Sequence, residues 1–382
     1  MKKRTSKWIA RLVLFSIVAS LALTGCESKV FPDPEITPPA SIGAPTSPSP
    51  VATETSATKD RVFTDSVDRE ITLPANLTRL APSGTLAQII LFTACPELMC
   101  GIAIPYTDSQ LKLIDSKYKD LPVFGKFYGK GPDFNLETVL VADTQVIVDF
   151  GEAKDSTVDD MNGLMNQIHV PTVFIQATFR DMPETFRQIG LLIGDTSRTD
   201  QLAKYCEESL ALSEKAKAAI PEDERVKVYW ALGDFGLNTN AVGSFHSEIL
   251  DYVPVINVAD VESSNRGGGS EVSMEQVILW DPDYILVDNV KLLQEMEKDP
   301  AWTALPAMKA GKVLIVPTQP YGFLSDPPSV NRYLGVGWLG ATFYPDLYTR
   351  SVKDEVLEFL KLFYDVEPSD TEFESIMAGT FK

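Results

Sequence analysis

The chain has 382 residues and a formal net charge of −19. So acidic a surface disfavours nucleic acid and anionic headgroups as partners and fits a soluble domain outside the cytoplasm. Four cysteines and two histidines occur without CxxC or Cys/His metal spacing, so a zinc site of three or four ligands is not expected.

Residues 1–25 read as a signal segment. Lys2, Lys3, Arg4, Lys7 and Arg11 precede an apolar run from Leu12 to Leu23 that is short for a bilayer span. Leu23-Thr24-Gly25-Cys26 resembles a lipobox, which implies cleavage before Cys26 and a diacylglycerol on its sulfur. Residues 26–60 then form a Pro/Ser/Thr-rich leash that buries too little to fold. Stretched as polyproline II at about 3.1 Å per residue, it reaches roughly 100 Å.

From Arg61 the pattern is globular. Val62–Asp65 and Glu70–Leu73 read as a hairpin, Leu77–Ala81 as a strand, and Leu86–Thr93 as a helix after a Pro-Ser-Gly-Thr turn. Strands follow at 101–104, 123–126, 146–150 and 172–176, with helices at 108–118 and 157–168. This alternation predicts a buried parallel sheet. Helices at 181–193 and 197–220, broken at Gly194-Asp195, connect to a second series. There Val226–Leu232, Val255–Val258, Ile285–Asp288 and Val313–Pro317 are strands, with a helix expected over Phe245–Tyr252. A helix start at Asp326-Pro327-Pro328 and helices at 331–343 and 352–363 close the chain. Cys95 and Cys100 either close a small disulfide loop or stay buried as free thiols. His169, just before a strand, is expected to pack structurally.

One segment occurs twice. Asn135–Val148 and Val272–Val287 each open with a Glu (Glu137, Glu275), turn at an Asp (Asp143, Asp281) and end in a β-branched run, 138 positions apart. That period is too long for a solenoid unit and implies two lobes on one plan, with a cleft between them suited to a small ligand. The fold class is therefore α/β, with two Rossmann-like lobes, central parallel sheets and a long joining helix. The domains are 1–25 signal peptide, 26–60 lipidated Cys and linker, 61–178 first lobe, 179–221 connecting helices and 222–382 second lobe.

The ordered series of motifs resembles the substrate-binding proteins of ABC importers for iron-siderophores, haem and cobalamin over residues 60–350. Thr64 to Pro74 is similar to that family's opening stretch, Arg79 to Thr85 to its strand and turn, and Phe124 to Tyr128 with Asn135-Leu136-Glu137 to its "vG…nlE" segment. Leu86 departs from the Glu common there. The resemblance implies that Glu137 and Glu275 pair with arginines of a permease dimer served by an ATPase. It also implies a monomeric, lipid-anchored receptor outside the cell membrane, with no cofactor of its own and a ligand carrying iron or cobalt.

Loops at the C-terminal strand ends should line the cleft, as in open α/β sheets. These are Ser83, Gly84, Thr85, Phe127, Tyr128, Phe150 and Gly151 in the first lobe, and Ser244, Phe245, His246, Arg266, Tyr321, Phe323 and Arg332 in the second. Aromatic rings suit a macrocycle or catecholate face and arginines suit oxyanions. His246 is also a candidate haem or metal ligand. The glycines at 267–269 lack the Lys-Ser/Thr of a phosphate loop. No nucleophile elbow or nucleophile–base set appears, so an enzyme is not expected. Two alternatives remain open. A molybdate or tungstate receptor of the same fold would use the helix start at 327–332, although Asp326 opposes an anion. A sensor or enzyme on this scaffold is the other.

Overall fold

The computed structural model describes residues 59–380 except 130, 132 and 265–267. The signal segment, Cys26, nearly all of the linker, and Arg266 lie outside the described residues.

The strands are β1 Arg61–Thr64, β2 Glu70–Leu73, β3 Leu80–Pro82, β4 Val146–Gly151, β5 Thr172–Gln176, β6 Val226–Ala231, β7 Asn238–Thr239, β8 Val255–Asn257, β9 Ser270–Glu271, β10 Tyr284–Val287 and β11 Val313–Ile315. The helices are α1 Thr85–Ala94, α2 Leu136–Val141, α3 Thr157–Ile168, α4 Met182–Ile193, α5 Thr199–Ala219, α6 Met274–Trp280, α7 Val290–Met296, α8 Pro300–Thr303, α9 Pro306–Lys309, α10 Asn331–Phe343, α11 Val352–Tyr364 and α12 Asp370–Ile376. Two parallel sheets result, ordered β3-β4-β5 and β11-β10-β6-β8. This is the two-lobed α/β architecture expected from the alternating pattern.

The opening hairpin is held by one buried ion pair. Asp65 accepts from Arg69 Nε at 3.0 Å and Nη2 at 2.5 Å, and from the amides of Val67, Arg69 and Phe174. Arg69 also donates to the Thr172 carbonyl and to Asn162. The Asp-x-x-x-Arg spacing of the first motif thus ties the β1–β2 turn to β5.

One apolar cluster runs from Phe63 through α1, α4, α5, α10 and α11 to Met377, and includes inner-face residues of both sheets, such as Val148 and Leu286. Two smaller clusters cover the outer faces, around Ile147 with Val139 and around Ile285 with Val277. Helix α5 buries a narrow stripe of Leu202, Ala203, Tyr205, Cys206, Ser213 and Ala216. Arg198, just ahead of it, donates to the carbonyl of Thr93 at the end of α1 and to those of Leu362 and Phe363 at the end of α11. These helix-terminal carbonyls otherwise lack intrahelical partners. Helix α10 packs so closely that a Cβ on Gly335 would stand 2.1 Å from the Phe323 carbonyl oxygen.

Several local expectations change. Residues 101–104 and 123–126 form isolated parallel bridges rather than ladders, with Pro105 and Pro122 interrupting donation. The helix expected over 108–118 is two 3-10 turns, because Thr107–Gln110 and Asp115–Lys117 bonds draw the backbone into local turns. Phe245–Tyr252 shortens to a 3-10 turn at Glu248–Tyr252, where Ser247 bonds back to the Ala241 carbonyl. The helix start at Asp326 moves to Asn331, since Asp326 and Pro327 each precede a proline and disfavour helical backbone. His169 is exposed, in the left-handed C-cap of α3, rather than packed. Cys95, Cys100 and Cys206 are free and buried; Cys100 bonds the Leu80 carbonyl at 3.3 Å and Thr144.

Asp65→Ala should leave Arg69 buried without its counter-charge and destabilise the fold by about 3–5 kcal/mol. Urea unfolding of wild type and variant measures this; a loss under about 1 kcal/mol would show that the pair behaves as a surface contact.

Candidate functional site

The C-terminal ends of β6, β10 and β11 open onto a cavity of about 380 Å³. Its wall carries hydroxyls from Thr239, Ser244, Ser263, Ser270, Thr318 and Ser325, amides from Asn240 and Asn289, the Trp230 ring, His246 and the carboxylates of Asp288 and Asp326. Among the described wall residues there is no Lys or Arg. A second hollow of about 410 Å³ sits beside the ends of α1 and α11, and none of its described wall residues comes from a strand.

Local structure explains the wall. The loop before α6 is pinned over β7 by antiparallel pairing of β7 with β9. Gly269 lies at φ +82°, and a Cβ there would meet the Thr239 carbonyl oxygen at 2.6 Å, so a larger residue would lift the loop. Beneath it, Thr239 Oγ1 is fully buried with no hydrogen-bond partner in the protein, a group that a polar ligand can satisfy. Asp288 accepts from Trp230 Nε1 at 2.9 Å. Burial pushes its carboxyl up to about 6; the Trp230 bond opposes the shift and nearby Asp326 adds to it. His246 Nδ1 lies 2.6 Å from Ser325 Oγ. Burial lowers its pKa, with Asp326 pulling upward and Arg332 downward, so the ring is neutral at pH 7.

The first sheet presents its own cluster. Ser83 donates to Asp149, and the Phe127 amide donates to the Ser83 carbonyl at 2.8 Å. Phe127 and Tyr128 meet edge to face at 4.7 Å, and Tyr128 donates to Asp160 at 2.9 Å. Burial pushes Asp149 up to about 6, against the Ser83 and Phe150 hydrogen bonds and Lys154.

Of the residues expected in the cleft, Ser244 and His246 line the cavity, and Phe245 stands exposed beside them. Ser83, Phe127 and Tyr128 gather at the first sheet's strand ends. Gly84 and Gly151 there face open space, and Thr85 begins α1. Phe150, Tyr321, Phe323 and Arg332 are buried. Phe323 packs edge to face on Trp338, and Arg332 forms a 2.7 Å ion pair with Glu248. The first-sheet residues do not share the second sheet's cavity wall. Sequence reading missed Asp149, Asp288 and Thr239. The first two carried a usable signal, an Asp at or just past the end of a β-branched run. Glu137 and Glu275 are exposed in the first turns of α2 and α6, capped by Asn135 and Ser273. Among the described residues no group of three His, Cys, Asp or Glu could hold a metal ion.

Folding raises Asp149 from the ordinary range near 3.9 to about 6. The native state therefore binds the proton more tightly, and the stability this gives is full below pH 4 and is lost as pH rises through 6. Asp149→Asn should raise stability at pH 7.5 by about 2 kcal/mol and leave it nearly unchanged at pH 4. Thermal melts at both pH values check this; equal effects at both would refute it.

Residues 129–320 match the periplasmic binding protein family. An ABC transporter solute binding protein from Sulfurospirillum deleyianum is 30% identical, and its structure aligns with 83% of this chain and 98% of that chain at a TM-score of 0.74. The molybdate-binding protein MolA of Haemophilus influenzae is 22% identical over 340 residues, covering 81% of this chain and 92% of MolA. Its molybdate-bound structure shares the fold at a TM-score of 0.63, with 20% identity over 81% of this chain and 99% of that one. YvrC of Bacillus subtilis, an uncharacterized ABC transporter substrate-binding lipoprotein, is 23% identical over 363 residues, covering 91% of this chain and 99% of YvrC. Among the described residues no helix is long and apolar enough to cross a membrane. By sequence and by fold, the chain belongs to the periplasmic binding protein family, the extracytoplasmic solute-binding components of ABC transporters.

Proposed function

We propose that this chain is a lipid-anchored receptor that captures a compact ferric chelate and delivers it to an ABC permease. Cys26 in its lipobox-like setting would carry the anchor, and residues 26–60 the leash. In this reading 61–178 and 222–382 are the lobes, 179–221 connects them, and Glu137 and Glu275 meet arginines of the permease.

The cavity wall carries the ligand assignment. Its volume stands at the low end for small-molecule pockets, which favours a compact chelate over haem or a corrinoid. Two carboxylates among hydroxyls and amides suit a neutral or cationic ligand rich in polar groups. A ferric tris-hydroxamate, in which three anionic groups balance Fe(III), meets that description better than a trianionic catecholate complex. The second reading is molybdate or tungstate, favoured by the likeness to MolA and by the hydroxyl-rich wall. Against it, Glu248 already engages Arg332. The chain's family and its relatives are solute-binding proteins, so binding without turnover is the function proposed.

Trp230 lines the cavity and reports on it directly. A ferric tris-hydroxamate should quench its fluorescence with a dissociation constant near 1 μM, about −8 kcal/mol, and the response should vanish in Trp230→Phe. Calorimetry with sodium molybdate separates the second reading. If no ferric hydroxamate, ferric catecholate, haemin, cobalamin or molybdate binds tighter than about 100 μM, roughly −5.5 kcal/mol, the receptor assignment fails.

A further inference from the structure

The two copies of the repeated segment expose large apolar side chains at the same two positions of a short helix. Leu140 is 48% and Val141 79% exposed on α2, and Ile278 is 53% and Leu279 83% exposed on α6. They lie three and four positions after Glu137 and Glu275, the spacing that places side chains together on one helical face. The opposite face of each helix is anchored by a buried valine, Val139 or Val277. Single exposed apolar residues are ordinary. Val62, Leu191 and Phe235 are such cases: the positions 138 residues away from them hold Asp200, Ser329 and Glu97, none of them apolar. The two pairs, by contrast, match position for position.

We propose that Leu140–Val141 and Ile278–Leu279 are twin apolar docking patches for a protein partner that presents the same surface twice. At each place the partner would offer an apolar groove bordered by a guanidinium or ammonium. The inference rests on the reading that Glu137 and Glu275 face the permease, and assigns the desolvated half of that contact. Charge selects the partner. Each patch holds its Glu together with Asp143 or Asp281, exposed in the left-handed turn that ends the helix. Those carboxylates repel a second copy of this chain, at −19, and an anionic membrane surface. Two patches built from one repeat call for a two-fold or pseudo-two-fold partner. In such contacts the buried apolar groups supply most of the affinity, and the rim charges orientation and on-rate.

The test uses the full chain with its permease–ATPase complex in proteoliposomes, reading ATPase stimulation against receptor concentration. Leu140→Ser with Val141→Ser, and Ile278→Ser with Leu279→Ser, should each raise the half-maximal concentration about tenfold. Melting temperature and Trp230 quenching by ferric tris-hydroxamate should stay unchanged. Glu137→Gln and Glu275→Gln should shift the curve less and make it less salt-dependent. If only the glutamine variants shift it, the apolar proposal falls and the permease reading stands. If none of the four variants shifts it, the permease reading falls as well. Self-association, or binding of a Cys26→Ala chain to protein-free phosphatidylcholine vesicles, would also overturn the proposal if abolished by the serine variants.

Discussion

The continuous apolar layer between the two sheets is the constraint on which the rest of the structure depends. Helices α1, α4, α5, α10 and α11 are buried in one cluster that draws side chains from both lobes. Polar groups stitch the layer where it would otherwise leave unmet bonds. Arg198 caps carbonyls from both ends of the chain, the Tyr333 hydroxyl donates to the Phe179 carbonyl, and the Phe179 and Tyr333 rings stack at 4.3 Å. Sliding one sheet over the other would break packing at interior density, which costs far more than bending a free linker. In the proposed reading, the strand ends give a ligand walls whose positions are set before it arrives, which lowers the ordering cost of binding.

Those walls concentrate titratable groups that the core would not tolerate. Asp149 and Asp288 stand at the ends of β4 and of β10, one in each lobe, and each is pushed up to about 6 by burial. Their hydrogen-bond donors, Ser83 and Trp230, come from neighbouring strands or turns of the same sheet. Perturbed acids clustered at strand ends are a signature of functional surfaces. Here they accompany hydroxyls and amides, a composition suited to a binding wall.

Much of this was legible in the sequence because the informative elements were locally consistent. Helix α10 falls at the expected residues, and the Glu137 and Glu275 helices carry side-chain N-caps that a reader can see as Asn135 and Ser273. The turn-forming residues between 101 and 125 concealed more. Prolines cut the strands to single bridges, and Asp and Thr side chains competed for the backbone. Helix α12 was missed although its Ser369-to-Glu372 capping box was in plain view. In the site, aromatic residues at loop positions were overvalued. Tyr321 and Phe323 serve the interior, because a ring beside a strand end can turn inward as readily as outward. Depth of burial is a tertiary property that spacing alone does not encode.

The cysteines carry a last consequence for the folded chain. Burial pushes the Cys95 thiol up to about 12 and raises Cys100 and Cys206 as well. A sulfur titrating near 12 is ionised in only about one molecule in 10⁵ at neutral pH, and the ionised form is the one that reacts. Once folded, the described thiols are chemically silent toward oxidants and foreign disulfides. The folded domain thus holds its thiols apart from disulfide exchange by burial alone.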